Sequence, residues 1–421
     1  MPRDSKLQKF FFEKKNQKTF ALGAALLCFA IILAAGALAG FVPPAWQGNW
    51  TDHIVARQAH FVDRFFPFDS VWYQRIATDF YAWDPTRPDL KQDVAFFPLW
   101  PLVLRFVAVC APAAVARWMI VLLAACFGVA SILAFQHLAC RLFAPPSARL
   151  ATLLFALWPG ASFLLLSYPT GLMNLLCILA MLALMDRHFW RAALYAGLVT
   201  GAGPLGLGTS LAVCACAAHD SRNRLTGSYR VSIEAALRLC AIGVLSVSLL
   251  LAFLAWQYAK FGNPFAFIQA QAAWATPVPW LQRIPRALLQ LLILPDFIAA
   301  TREAAHAFKA TSSVALQAIL ERALHTAAEG AELIALIACT RLRAPPVVLQ
   351  GIFTMALFIW FHSTSRPGNS TLRLTYCIIG IFLGAAWLLR NRPRLAAVTV
   401  CASAAMLACG AFLSAAGYHV V

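Results

Sequence analysis

From Phe20 to Phe41 the chain carries no charged side chain and almost nothing polar. At about 1.5 Å per residue, a helix of that length crosses the roughly 30 Å hydrocarbon core of a bilayer. Long apolar runs of this kind, separated by short charged loops, recur to the end of the sequence. Of the 421 residues, 61% are hydrophobic and only 12% are charged, about half the roughly 25% charged share of a soluble protein. A soluble fold of this size could not cover its surface with so few charges, and the mean hydropathy of +0.71 agrees. The chain reads as an all-α polytopic membrane protein with membrane lipids as its solvent.

Lys and Arg number 34 against 17 Asp and Glu, a formal net charge of +17. The basic residues collect in short loops between apolar runs, which is the pattern of loops kept in the cytoplasm. None of these stretches carries a recognition motif for nucleic acid, so no nucleic-acid partner is expected. The twelve Cys fall inside apolar runs or near their ends. No CxxC pair is followed by a second one, so they read as packing residues and not as zinc ligands or a disulfide frame.

The same loops define a topology. Arg3, Lys6, Lys9, Lys14, Lys15 and Lys18 precede the first apolar run, which reads as an uncleaved signal anchor with a cytoplasmic N-terminus. Residues 42–116 then form a first extracytoplasmic loop, rich in Asp. Its stretch 95–112 is interrupted by Pro98, Pro101 and Arg105 and reads as an interfacial half-helix. Spans follow at about 117–139, 149–166 and 171–186. The run 192–218 divides into two short passes, broken at Gly201-Ala-Gly-Pro-Leu-Gly206. Each is too short to cross, and irregular backbone at that depth survives only where it is buried in protein or lines a cavity. Further spans fall at 238–258, 315–340, 345–362, 372–389 and 394–416, with a second extracytoplasmic loop at 259–314. The count is about eleven passes, two of them short or broken, in one domain spanning 1–421. No 20–50-residue repeat interrupts it.

Polar chemistry concentrates in the first loop. In Phe68-Asp-Ser-Val-Trp-Tyr-Gln-Arg-Ile-Ala-Thr-Asp-Phe-Tyr81, Val71, Trp72, Ile76 and Phe80 form a helical apolar stripe. Asp69 opens that helix, where its side chain could cap the N-terminus. The plain reading is a capped interfacial helix. The sharper reading makes Asp69 a catalytic carboxylate at the bilayer surface.

That segment, followed by Val94-Ala-Phe-Phe-Pro-Leu-Trp-Pro101 and by Phe261-Gly-Asn-Pro-Phe-Ala-Phe-x-x-Ala-Gln-x-x-Trp274, resembles the PIG-V-like mannosyltransferases and their bacterial relatives. The resemblance implies a GT-C-like bundle with interfacial helices and the active site in its first outside loop. It also implies a polyprenyl-phosphate sugar donor, mannose as the sugar, and a lipid-linked or cell-envelope glycan acceptor. Phosphate leaves readily, so one base suffices for an inverting transfer. Asp69 is the expected base, with Arg75 or Arg373 as the cation for the departing phosphate and Arg366 as a weaker candidate. Trp72, Tyr73, Asp93, Phe97, Pro98, Trp274 and Tyr376 complete the expected substrate contacts. The absence of any Asp-x-Asp pair fits a lipid-linked donor, and neither a metal nor another cofactor is expected. Arg-rich, compact loops point to a bacterial inner membrane.

Other polar residues read more plainly. Asp79, Asp84, Asp89 and, by default, Asp93 are solvated loop charges, and His53, His60 and His362 lack metal-ligand spacing. Trp256 and Trp280, like Trp274, suit an interfacial belt as well as a sugar platform. Asn49-Trp-Thr and Asn369-Ser-Thr are glycosylation sequons, relevant only in a eukaryotic host.

The resemblance lapses at two places. Thr170, in Ser167-Tyr-Pro-Thr-Gly171, stands where the family has Glu, and Gly203, in Ala202-Gly-Pro-Leu-Gly206, stands where it has Arg. Losing both partners of an ion pair avoids stranding one charge, so the fold tolerates the change while acceptor choice or activity shifts. Two rival readings follow: a transporter or flippase for a lipid-linked sugar, and a catalytically silent partner subunit.

Overall fold

The computed structural model describes residues 3–41, 60–87, 89–225, 229–273, 279, 281–282, 285, 328–362 and 371–416. Along the chain lie α1 (Arg3–Leu38), α2 (Ser70–Asp79), α3 (Leu99–Cys110), α4 (Ala113–Leu142), α5 (Pro145–Ala156), α6 (Thr170–Met185), α7 (Phe189–Thr200) and α8 (Gly206–Leu225). They are followed by α9 (Tyr229–Ser246), α10 (Ser248–Phe261), α11 (Ala266–Ala270) and α12 (328–339). The last are α13 (Pro345–His362), α14 (Thr371–Leu374), α15 (Ile379–Leu389) and α16 (Pro393–Ala415). No strand occurs among the described residues. The protein is an all-α polytopic membrane protein.

By length and composition, α1 with its 3-10 extension to Phe41, α4 and α16 can each cross a bilayer. The pairs α9–α10 and α14–α15 meet the same test only as spans bent by 65° and 89°. Helices α3, α6 and much of α13 are apolar but shorter.

Three breaks can be traced to particular residues. The run 149–166 is not one helix: α5 stops at Ala156, and Pro159-Gly160 begins a 3-10 turn reaching Leu164. Gly160 is required there, since a Cβ would lie 2.3 Å from the Leu372 carbonyl oxygen. Between α9 and α10 the helical ladder opens at Val247. The Ser210 hydroxyl donates to the Ser246 carbonyl at 2.5 Å, and the Leu250 amide donates to Thr200 Oγ1 at 3.2 Å. Side chains thus take up groups that the kink leaves free. The break between α7 and α8 falls at Gly201–Leu205, where the Gly-Pro-rich stretch placed it.

The main core runs between α4, α5, α6 and α15. Phe135 stacks on Phe155 at 4.4 Å, and Phe382 meets Phe155 edge-on at 5.1 Å. A smaller cluster of Ile76, Tyr81, Val94, Ala95, Phe97, Phe253, Ala266 and Ala270 docks the first loop onto the end of α10 and onto α11. The Gln271 side-chain amide adds a bond to the Ala95 carbonyl at 3.2 Å. The three sequence segments singled out above therefore meet in one place.

Candidate active site

Pro67 and Phe68 lead into α2, with Phe68 in the left-handed region at φ 48°. Asp69 occupies the N-cap position, but its carboxylate makes no capping bond. Its backbone is αR (φ −63°, ψ −16°), not the extended conformation from which a side chain reaches the first turn. The carboxylate turns elsewhere: Arg373 Nη1 donates to Asp69 Oδ2 at 2.8 Å. The Asp69 and Arg373 side chains are 20% and 17% accessible, so the pair is largely shielded but not enclosed. The Arg373 guanidinium lies over the ring of Tyr168 at 5.1 Å and that of Phe163 at 5.5 Å.

The inward face of α2 is not the stripe that periodicity marks. Ser70, Tyr73, Ile76 and Ala77 are buried, Val71 and Trp72 are half-buried, and Phe80 is exposed at the helix end with φ 61°. Small Ser70 and Ala77 let the helix lie close to the bundle, and Tyr73 fills the space between. The Tyr73 ring meets Phe96 and Tyr168 edge-on at 5.3 and 5.9 Å. Burial pushes its phenol well above the ordinary range, so it stays protonated. Trp72 stacks on Phe96 at 5.8 Å and 15°.

The other expected residues divide. Arg75 lies not at Asp69 but 3.8 Å from Asp93, with its own side chain 54% accessible. Asp93 departs from the solvated-loop reading: it is 2% exposed, and its Oδ1 accepts the Ala82 amide at 2.9 Å. Burial raises its carboxyl above the usual range, against the opposing pull of the Ala82 amide and Arg75. Asp79, Asp84 and Asp89 are exposed. Phe97 is buried, edge-on to Phe267 at 5.4 Å. Pro98 is the N-cap of α3, and the next amide, Leu99, donates to the Gly201 carbonyl at 2.8 Å, tying this turn to the α7–α8 break. Tyr376 is fully buried, its hydroxyl donating to the Phe155 carbonyl at 2.8 Å. That places it in the core, against α5. Trp274, Trp280, His53, Arg366 and the asparagines of both sequons, Asn49 and Asn369, lie outside the described residues, as does most of 259–314. Thr170 is buried at the start of α6. A Cβ added at Gly203 would meet nothing within 4 Å.

Four residues at this site escaped the sequence reading. Tyr168 and Phe96 frame Asp69 and Trp72, and both stood inside segments already quoted. Glu329 and Glu332 approach the Arg373 segment from α12. Their signal was two carboxylates in an apolar run, and an ionisable residue there is by default functional. Another ion pair, Asp63 with Arg117, fixes the start of the first loop to α4.

A carboxylate and a guanidinium, side by side, each partly accessible and flanked by aromatic rings, can take a proton from a hydroxyl and hold an anionic oxygen. No curated protein matches the chain. The family model described as mannosyltransferase (PIG-V) matches residues 48–290, a stretch that holds Asp69, the Phe96-Phe97-Pro98 turn and Phe261–Trp274 and stops short of Arg373. With more than half of its length matched, the chain belongs to the PIG-V mannosyltransferase family.

Proposed function

We propose that the protein is an inverting GT-C glycosyltransferase that moves mannose from a polyprenyl-phosphate donor to a lipid-linked or cell-envelope acceptor. In this reading it acts at the outer face of a bacterial inner membrane, where loops 42–116 and 259–314 both lie. The observation that carries the reading is the 2.8 Å pairing of Asp69 with Arg373, which joins a base and a phosphate-binding cation from distant parts of the chain.

The donor's phosphate is an anion and competes with Asp69 for the guanidinium. As Arg373 turns toward it, Asp69 Oδ2 is released to face the acceptor hydroxyl. The acceptor oxygen attacks the sugar's anomeric carbon while its proton passes to Asp69. The bond from that carbon to the phosphate oxygen breaks, and its electron pair leaves with polyprenyl phosphate beside Arg373. Attack opposite the leaving group inverts the configuration. Trp72, backed by Phe96, supplies a flat apolar face for the sugar, and Trp274 is a second candidate for that role. Asp93, Phe97 and Pro98 act by shaping the loop.

The test uses membranes containing the protein and radiolabelled polyprenyl-phosphate mannose, with labelled product as readout. Asp69→Asn should lower transfer by about 10²–10⁴-fold while the protein remains inserted and folded. Full activity in that variant excludes Asp69 as the base. Uptake of labelled lipid into proteoliposomes without product would favour a transporter instead.

A further inference from the structure

Two glutamates, Glu329 and Glu332, stand nearly one turn apart on α12 and face the segment 371–375. Thr371 Oγ1 donates to Glu329 Oε1 at 3.1 Å. Thr375 Oγ1 donates to Glu332 Oε1 at 2.7 Å and also lies 2.9 Å from the Thr371 carbonyl oxygen. Thr371 and Thr375 share one face of their helical turn, and Arg373, midway between them, projects from the other toward Asp69.

Glu332 is 1% exposed, and its Oε2 has no hydrogen-bond partner among the described residues. A carboxyl group buried this way in an apolar run is costly, and no step of the proposed reaction uses it. Its contacts point instead to the backbone that carries Arg373. Helix α12 is a firm base for such contacts, because it lies directly against α15: a Cβ at Gly384 would sit 1.7 Å from the Ala335 carbonyl oxygen. Trp158 Nε1 also donates to the Leu372 carbonyl at 3.1 Å. The short turn bearing Arg373 is thus held by two glutamate side chains and an indole.

We infer that Glu329 and Glu332 are positioning residues that clamp Thr371 and Thr375 and so aim the Arg373 guanidinium at the site it shares with Asp69 and the donor phosphate. The inference rests on the roles proposed above for Arg373 and Asp69.

Glu332→Leu and Thr375→Val each remove one end of the inner contact, whereas Glu332→Gln keeps an acceptor oxygen for the Thr375 hydroxyl. With polyprenyl-phosphate mannose as donor, the first two should lower kcat/KM per folded molecule by about tenfold to a hundredfold, the scale of a small misplacement at a reacting centre. Glu332→Gln should recover most of the loss, and the Leu/Val double variant should be no slower than the slower single one. A second readout does not depend on transfer. Arg373→Cys is labelled with a membrane-impermeant maleimide and followed by peptide mass spectrometry, which separates it from the native cysteines. Its labelling rate should change severalfold when Glu332→Leu is added and return when Glu332→Gln is added instead. The clamp is overturned if Glu332→Leu keeps the parental kcat/KM, if Gln is as damaging as Leu, or if labelling ignores both. Should Glu332→Leu fail to fold, Thr375→Val carries both measurements. Should Asp69→Asn retain full transfer, the base assignment fails, and the labelling still decides whether the clamp holds position 373.

Discussion

The backbone amide of Asp69 donates to the hydroxyl of Tyr168 at 3.0 Å, and that hydroxyl donates in turn to the Pro67 carbonyl at 3.1 Å. One phenol from the start of α6 therefore closes the three-residue loop that presents the proposed base. The loop needs closing, since Phe68 at its centre has φ 48°, a conformation costing a non-glycine residue roughly 1–2 kcal/mol.

Tyr168→Phe keeps the ring under Arg373 and removes both bonds. A buried amide left without an acceptor costs about 1–3 kcal/mol, enough to let Phe68 leave the left-handed region and carry Asp69 with it. Transfer should fall by about tenfold or more, the scale of a small displacement of a catalytic group. Assay of the purified variant against polyprenyl-phosphate mannose checks this. A parental rate would mean that the loop holds its shape without the hydroxyl.

Arg373 is both an ion-pair partner and a plate stacked on Tyr168 and Phe163. Arg373→Gln loses a charge-assisted contact worth about 1.5–3 kcal/mol, which corresponds to about tenfold to more than a hundredfold in kcat/KM for the donor. Arg373→Lys restores the charge without the planar fork or the stacking and should recover only part of that loss. Equal rates for Lys and Arg, measured across donor concentrations, would reduce the residue to a point charge.

Asp93 bears on stability. Its carboxyl is raised above the ordinary value of 3.8 chiefly by burial, with Asp79 adding to the shift and Arg75 opposing it. The native state therefore holds this proton more tightly than the unfolded chain. The associated stability is present below the ordinary value and is lost as pH rises through the raised one. Asp93→Asn removes the penalised charge and keeps an oxygen for the Ala82 amide. Its unfolding midpoint in detergent should exceed the parent's at neutral pH, and the gap should close on acidification below the ordinary carboxyl value. A variant less stable at neutral pH would mean that the 3.8 Å contact with Arg75 outweighs the burial.

Much of this all-α architecture could be read from residue order alone, because membrane helices obey a length rule. The half-helix at 95–112 and the break at Gly201–Gly206 were legible through Pro and Gly. The stop at Ala156 was less so, since Pro159-Gly160 sits inside an apolar run and its cause, the Leu372 carbonyl, comes from a distant segment. The bend at Val247, met by Ser210 and Thr200 from neighbouring helices, is tertiary in origin and leaves little trace in hydropathy. At the site, Asp69 was legible as an odd carboxylate at a helix start, but its partner was not. Arg75, nearest in sequence, goes to Asp93, and Arg373 arrives from a segment 304 residues further along the chain. Local spacing favours cap and stripe arguments, and both misjudged α2 because long-range contacts decide where Asp69 and Tyr73 point.

The two family departures can now be judged against their surroundings. Gly203 has open space where a Cβ would go, so Gly203→Arg fits without steric cost and keeps its long side chain free to reach water or a partner. Thr170 is different: it is 7% exposed in the first turn of α6. A Glu there gains from the helix N-terminus, about 0.3–1 kcal/mol, but an unpaired buried carboxylate costs several-fold more. Thr170→Glu alone should therefore lower the unfolding midpoint, and Gly203→Arg alone should leave it nearly unchanged. If the two positions once formed an ion pair, the double variant should recover most of what Thr170→Glu loses, a coupling of about 0.5–3 kcal/mol in a double-mutant cycle. The same four proteins, offered a panel of lipid-linked acceptors, should differ in which acceptor is glycosylated. Additive stabilities together with an unchanged acceptor profile would show that Thr170 and Gly203 are independent substitutions with no bearing on specificity.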